Sequence, residues 1–134
     1  DEPSTTAVES PEWLPETRAT LPGPADYLAY EDDGRIRAVA LQEEWTRIGR
    51  SLSAHVRLDD PTVSRRHALI HRDGGTARLL DDRSLNGVFL NGERIDWHEL
   101  GDGDEIAIGR FRLYFISVTE DRESAEKGGK LALS

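Results

Sequence analysis

Ser84-Leu85-Asn86-Gly87-Val88-Phe89-Leu90-Asn91-Gly92 sets a three-residue apolar run between two Asn-Gly pairs. Asn-Gly is turn chemistry, because both residues accept the positive φ that a tight hairpin needs. So short a run between two turns is no helix and suits a strand of a small sheet. The pattern repeats on both sides. Upstream, Ala68 to His71 and Ala77 to Leu80 flank Asp73-Gly74-Gly75. Downstream, Glu105 to Gly109 and Phe111 to Val118 follow the turn Asp102-Gly103-Asp104. Toward the N-terminus, Tyr27 to Glu31 and Arg35 to Leu41 meet across Asp32-Asp33-Gly34, and Trp45 to Gly49 and His55 to Leu58 add two more runs. Many short strands with turns at regular spacing predict an all-β, two-sheet sandwich with almost no helix.

Composition sets the limits of this body. Residues 1–25 hold Pro3, Pro11, Pro15, Pro22 and Pro24 among Ser, Thr and Glu, which reads as a disordered acidic segment. Trp13-Leu14 is its one apolar pair, suited to docking on the body. Residues 26–118 form the predicted sandwich, and residues 119–134, polar with Gly128-Gly129, read as a flexible C-terminal tail.

The 134 residues carry a formal charge of −9 and no cysteine. Thiolate chemistry and disulfides are therefore excluded. His55, His67, His71 and His98 show no ligand spacing with an acidic partner, so neither metal nor cofactor is expected. The acidic balance disfavours nucleic acid, which wants a basic face. No apolar run approaches the roughly 20 residues of a membrane span, and no signal peptide opens the chain. A cytoplasmic, monomeric domain is the expectation. Its basic residues are all arginine between positions 25 and 119, which suits planar recognition of oxyanions as well as a GC-rich genome.

Four islands stand at informative spacing: Gly49-Arg50, Ser64-Arg65-Arg66-His67, Ser84-Leu85-Asn86-Gly87 and Asn91-Gly92. In this order the sequence resembles the forkhead-associated (FHA) family, from about Tyr27 to Ser117. The resemblance implies an FHA-type β-sandwich whose loops at one end hold a phosphothreonine peptide. By its register, Arg50, Ser64, Arg65 and Asn86 are the phosphothreonine-binding residues. His67 braces the binding loop, and Gly49, Gly87, Asn91 and Gly92 are structural. Physical chemistry agrees with such a site. A phosphate dianion needs directed donors and a fixed cation. Arg50 ends a strand; Ser64 offers a hydroxyl in a loop; Asn86 has donor and acceptor for a peptide backbone. Of the adjacent pair, register favours Arg65 over Arg66 for the phosphate. His67 beside Ser64 has no oriented acid or oxyanion hole, so no catalytic triad and no enzyme is read here. One departure matters. Many relatives carry a phosphate-binding Thr where this chain has Leu85, which leaves Ser84 and Leu85 as candidate additional contacts.

Thr5-Thr6-Ala7-Val8 lies in an acidic setting similar to the front of small actinobacterial FHA regulators. There a Ser/Thr kinase modifies one Thr, and the tail folds back into its own pocket. The resemblance makes Thr5 and Thr6 candidate phosphorylation sites. With about 20 residues before Tyr27, a flexible tether would span roughly 25 Å. The partner is thus a phosphothreonine protein or the chain's own phosphorylated tail. Two alternatives to a plain reader remain: a kinase-controlled, self-inhibited regulator of metabolic enzymes, and a scaffold domain of a secretion or transport machine with a vestigial pocket.

Overall fold

The computed structural model describes residues 10–119. It holds one helix, α1 (Trp13–Ala19), and the strands β1 (Ala25–Asp32), β2 (Arg35–Ala40), β3 (Trp45–Gly49), β4 (Val56–Arg57), β5 (Ala68–Asp73), β6 (Thr76–Asp81), β7 (Val88–Leu90), β8 (Glu93–Ile95), β9 (Trp97–Glu99), β10 (Glu105–Ile108) and β11 (Phe111–Val118). They make a six-stranded sheet ordered β2-β1-β11-β10-β7-β8 and a five-stranded sheet ordered β4-β3-β5-β6-β9. All pairings are antiparallel except β3 with β4. The chain is a two-sheet β-sandwich.

Period-two patterning explains the core. In β5, Ala68 and Ile70 are buried while their neighbours are less so; in β6, Ala77 and Leu79 do the same. These face Leu28, Tyr30, Ile106, Ile108, Leu113 and Phe115 from the other sheet. Turn chemistry sets the hairpin ends. Asp33 and Gly34 have φ of 56° and 78°, and Asn91 and Gly92 have 51° and 89°. Such pairs of positive φ match the twist of the strands they join.

Two stretches bury both faces. Tyr27 through Tyr30 are all buried in β1, and Leu113 through Ile116 in β11. Leu28, Tyr30, Leu113 and Phe115 face the sandwich core. Tyr27, Ala29, Tyr114 and Ile116 face outward, where Leu14 covers them with Trp13 and Leu21 beside it. The cover is α1. At residues 13–19 this departs from the disordered segment expected over residues 1–25, while residues 26–118 hold no helix, as expected. Pro15 is tolerated because it sits in the first turn, whose N–H groups have no helical partner. Glu16 near the start and Arg18 near the end suit the helix dipole. The helix is too short to stand alone; the apolar contact holds it. Trp13 meets Tyr114 edge-on at 5.9 Å between ring centroids, and Arg18 pairs with Asp102 at 3.1 Å.

The helix direction decides at which end of the sandwich the N-terminal segment arrives. Arg18 reaches Asp102, which also accepts the Ser117 N–H at the far end of β11. Pro11 and Trp13 share a cleft with Asp33, Gly34, Arg110 and Phe111, at the opposite end. So the chain doubles back over the sheet before entering β1. The sequence reading also missed β8 and β9, which are short and largely exposed. No alternation marks them. They form because the Asn91-Gly92 turn sends β8 back along β7, and because β9 lies on β6 in the other sheet. Among the described residues no helix is long and apolar enough to cross a membrane.

Leu14→Ala should lower stability by about 2 kcal/mol, the low end for a buried leucine because the helix can partly collapse onto the gap. Urea unfolding and amide exchange together check this: exchange should accelerate in Trp13–Ala19 while the strands keep their protection. Unchanged exchange in the helix would show that Leu14 does not hold it.

Candidate functional site

β3 ends at Gly49, and the following residues are zipped onto the loop that leads into β5. The Arg50 N–H donates to the Ser64 carbonyl at 2.9 Å, and the Ser51 N–H to the Arg65 carbonyl at 3.2 Å. This approach is so close that a Cβ on Gly49 would stand 2.1 Å from the Arg65 oxygen. Glycine is therefore a steric requirement there. The Arg50 side chain is held as well: its Nε donates to the Val63 carbonyl at 3.0 Å, and Val63 is itself buried. Among the described residues the terminal guanidinium nitrogens of Arg50 have no protein partner.

His67 is fully buried and joins two loops. Its Nδ1 accepts the Ser64 N–H at 3.0 Å. With Nδ1 an acceptor, Nε2 carries the proton and donates to the Gly87 carbonyl at 2.8 Å. Both ring nitrogens are engaged, so this histidine braces and does not shuttle protons. The Ser64 hydroxyl oxygen accepts the Leu85 N–H at 2.9 Å, which leaves its own O–H to donate elsewhere. Asn86 Nδ2 donates to the Thr62 carbonyl at 2.9 Å. Arg50, Ser64 and Asn86 are thus bound into one hydrogen-bonded set of loops at one end of the sandwich, and Arg65 stands on the same loop as Ser64.

The neighbours sort themselves by partner. Arg66 reaches Asp82 at 3.1 Å. Arg65 is exposed and, among the described residues, its side chain has no hydrogen bond or ion pair. Ser84 turns inward: its hydroxyl accepts the Gly87 N–H at 2.9 Å and its N–H donates to Asp81. Its oxygen is a turn staple. The Leu85 side chain is 85% exposed, so it contributes a backbone donor to Ser64 and an apolar rim. Asn91 sits in its turn and donates to Asp104, while its side-chain oxygen accepts the Glu105 N–H. Thr5 and Thr6 lie outside the described residues. Among the described residues no group of acids and histidines could hold a metal.

Sequence reasoning did not find the support beneath Asn86. Asp60 accepts the Thr62 N–H at 2.9 Å and the Thr62 O–H at 2.6 Å, and it pairs with Arg110. The Arg110 N–H donates to the Thr62 hydroxyl at 3.0 Å. These bonds hold the Asp60 carboxyl down at about 2, the Thr62 hydroxyl foremost and Arg110 next. Asp60-Pro61-Thr62 carries the composition of a turn in which an Asp bonds two residues on, a signal that could have drawn attention to Thr62; nothing local announces the distant Arg110.

The FHA domain family matches residues 46–109. The chain is similar to the glycogen accumulation regulator GarA of Mycolicibacterium smegmatis, 42% identical over 84 residues, which is 63% of this chain and 53% of that protein. It is also similar to an oxoglutarate dehydrogenase inhibitor of Corynebacterium jeikeium, 43% identical over 81 residues, 60% of this chain and 56% of that protein. The chain spans about half the length of both curated relatives. Among solved structures it is similar to the FhaA FHA domain complexed with the intracellular domain of Rv3910, with TM-score 0.64 and 38% identity over 68% of this chain and 99% of that one. A structure solved in a study of phosphothreonine-dependent FHA domain interactions gives TM-score 0.65 at 38% identity, over 69% of this chain and 95% of that one.

The carboxyl resonance of Asp60 should titrate at about 2, against an ordinary 3.8. Because the folded-state value is depressed, its contribution to stability is present in full above the ordinary value and is lost as pH falls through about 2. In Thr62→Val the midpoint should rise toward 3.8, since the largest cause is gone. A wild-type midpoint near 3.8 by NMR would show that the network does not form in solution.

Proposed function

The chain belongs to the FHA family, and from that membership we propose that it is a cytoplasmic, non-enzymatic module that binds phosphothreonine in a partner protein under Ser/Thr kinase control. One observation carries this reading. A single end of the sandwich presents two arginines with unpartnered guanidinium nitrogens among the described residues, a serine hydroxyl whose proton is free to donate, and an asparagine fixed on one side only. That is a receptor for a tetrahedral dianion with a peptide attached. Arg50 supplies a cation anchored by its Nε. Arg65 supplies a second. Ser64 donates to a phosphate oxygen, and Asn86 clamps the adjoining backbone. His67, Gly49 and Gly87 hold these groups and touch nothing of the ligand. Leu85 withholds the side-chain bond that a threonine would give, a loss of about 0.5–1.5 kcal/mol that the arginines outweigh.

A second reading is favoured by the helix. Self-inhibition by a phosphorylated N-terminal segment requires reach, and α1 starts at the same end as the loops. Pro11 lines a cleft with Arg110, and Arg110 bonds Thr62, whose carbonyl holds Asn86. Pro11 follows Thr6 by five positions, so Thr6 lies at most about 18 Å from it along an extended chain. The stretch from Thr6 to the packed chain is therefore short, in place of about 20 residues. A short tether raises the effective concentration to roughly the millimolar range. On this reading the chain is a kinase-controlled regulator of metabolic enzymes; the names of its two curated relatives support the metabolic half of that role.

Arg50→Ala should weaken binding of a phosphothreonine peptide by about 30-fold or more, the usual cost of removing one partner of a charge pair, with little change in melting temperature. Fluorescence anisotropy and calorimetry check both halves. Phosphothreonine should exceed phosphoserine in the same peptide by about ten-fold, the worth of a methyl in an apolar niche. Equal affinity for the phosphorylated and plain peptides would end the phosphothreonine reading. Phosphorylation of the chain that leaves its affinity for external peptide unchanged would end the self-inhibition reading alone.

A further inference from the structure

We infer that Asp60, Thr62 and Arg110 form a positioning unit that sets the Asn86 amide for peptide contact, an inference that rests on the phosphothreonine reading of the site. Asn86 is exposed, yet it is bonded on one side only. Its Nδ2 donates to the Thr62 carbonyl, and among the described residues its Oδ1 has no partner. Rotating the amide by half a turn would set two acceptor oxygens against each other. The Thr62 carbonyl therefore decides which face Asn86 offers: an acceptor outward, with the second N–H beside it. That is the pair of groups a peptide backbone requires.

The Thr62 carbonyl can decide only if it is itself fixed, and three groups fix it. Asp60 takes both the N–H and the O–H of Thr62 on one carboxylate oxygen. Its other oxygen takes the Arg110 guanidinium. The Thr62 hydroxyl, having donated to Asp60, accepts the Arg110 N–H at 3.0 Å. The O–H donates to Asp60 while a lone pair accepts from Arg110, so its rotor is locked. The β10–β11 turn must come very near to do this. Gly109 has φ of 59°, and a Cβ there would stand 2.5 Å from the Thr62 hydroxyl and 2.9 Å from its carbonyl oxygen. The Arg110 guanidinium carbon lies over the Phe111 ring, 4.5 Å from its centroid, which seats the head group. Thus a turn that touches no ligand is keyed, through one threonine, into the residue that does. Asp60, Thr62 and Arg110 are positioning residues, and their effect passes through Asn86.

The test uses the full chain and one probe: a fluorescein-labelled phosphothreonine peptide that the wild type selects from a degenerate phosphothreonine library. Thr62→Val should weaken binding about 3- to 10-fold, the range of one lost neutral hydrogen bond. Thr62→Ser should restore it. In an Asn86→Ala background, Thr62→Val should add nothing, because two residues acting through one contact are not additive. The apo protein gives a second readout. The Asn86 side-chain amide should show one exchange-protected proton in the wild type and in Thr62→Ser, and two protons without exchange protection in Thr62→Val. Should Thr62→Val fail to fold, Arg110→Ala, which leaves Thr62 in place, takes its role in the same cycle. Equal affinity of Thr62→Val and wild type would overturn the proposal, as would an additive loss on Asn86→Ala. A loss in which Thr62→Ser fails as badly as Thr62→Val would do so too. A wild type that retains no library peptide would instead overturn the phosphothreonine reading, and the positioning role with it.

Discussion

The buried imidazole of His67 is the constraint on which this surface depends. Among the described residues it is the one polar side chain with no exposure at all, and it spends both nitrogens on backbone groups of two separate loops. Removing it would orphan the Ser64 N–H and the Gly87 carbonyl together. An unsatisfied buried polar group costs about 1–3 kcal/mol. Everything nearer the solvent is hung from that bridge. The Ser64 N–H fixes the loop whose carbonyl receives Arg50. The Gly87 carbonyl fixes the loop that carries Leu85 and Asn86. Loops are ordinarily the soft part of a β-sandwich; here the bridge makes two of them a single rigid body, which is what a site assembled from distant sequence must be.

The helix imposes a different constraint on the outer face of the six-stranded sheet. Tyr27, Ala29, Tyr114 and Ile116 would form an exposed apolar band on the central strands without it, and contiguous bands of that kind invite association. Trp13 and Leu14 cover it in a segment whose composition otherwise argues for disorder. Covering has a directional consequence. A seven-residue helix pinned by Trp13 at one end and Arg18 at the other can lie only one way along the strands. That orientation fixes where the preceding chain emerges. Packing of the outer face and access to the loops are thereby coupled through one short element.

The strands legible in the sequence were those with an apolar period and a turn on each side: β3, β7 and β11 match residue for residue, β1, β5 and β6 run one or two positions further at an end, and β2, β4 and β10 stop one position short at an end. Hydrogen bonding continues past the buried part of a strand, and no side-chain pattern records that. β8 and β9 were illegible because their side chains face water. The helix was half legible. Tyr27-Leu28-Ala29-Tyr30 is an unbroken apolar run, which is the mark of a strand buried on both faces, and Trp13-Leu14 was the evident candidate cover. Proline-rich composition outweighed that signal. At the site, the islands identified the loops, while Thr62, Gly109 and Arg110 stayed hidden. Their importance lies in a contact between residues 48 positions apart, and pairing at that range leaves no local trace.

A chain of formal charge −9 makes a poor receptor for a dianion until its charges are assigned to partners. Near the loops, Asp82 is held by Arg66, Asp59 by Arg57 at 3.6 Å, and Asp60 by Arg110. Asp81 accepts the Ser84 N–H. Each of these acids has a partner within a few ångströms, while among the described residues Arg50 and Arg65 have no carboxylate partner. The remaining excess of negative charge belongs to other parts of the chain. Screening at physiological salt limits exposed charges to about 8 Å, whereas a guanidinium in contact with phosphate interacts at about 4 kcal/mol for an effective dielectric near 20. The local surplus therefore decides, and the global deficit does not. The same arithmetic gives the acidic background a use. On the proposed assignment of Arg50 and Arg65 to the phosphate, ligands are not gathered by a diffuse positive field, and selectivity lies in the contact itself.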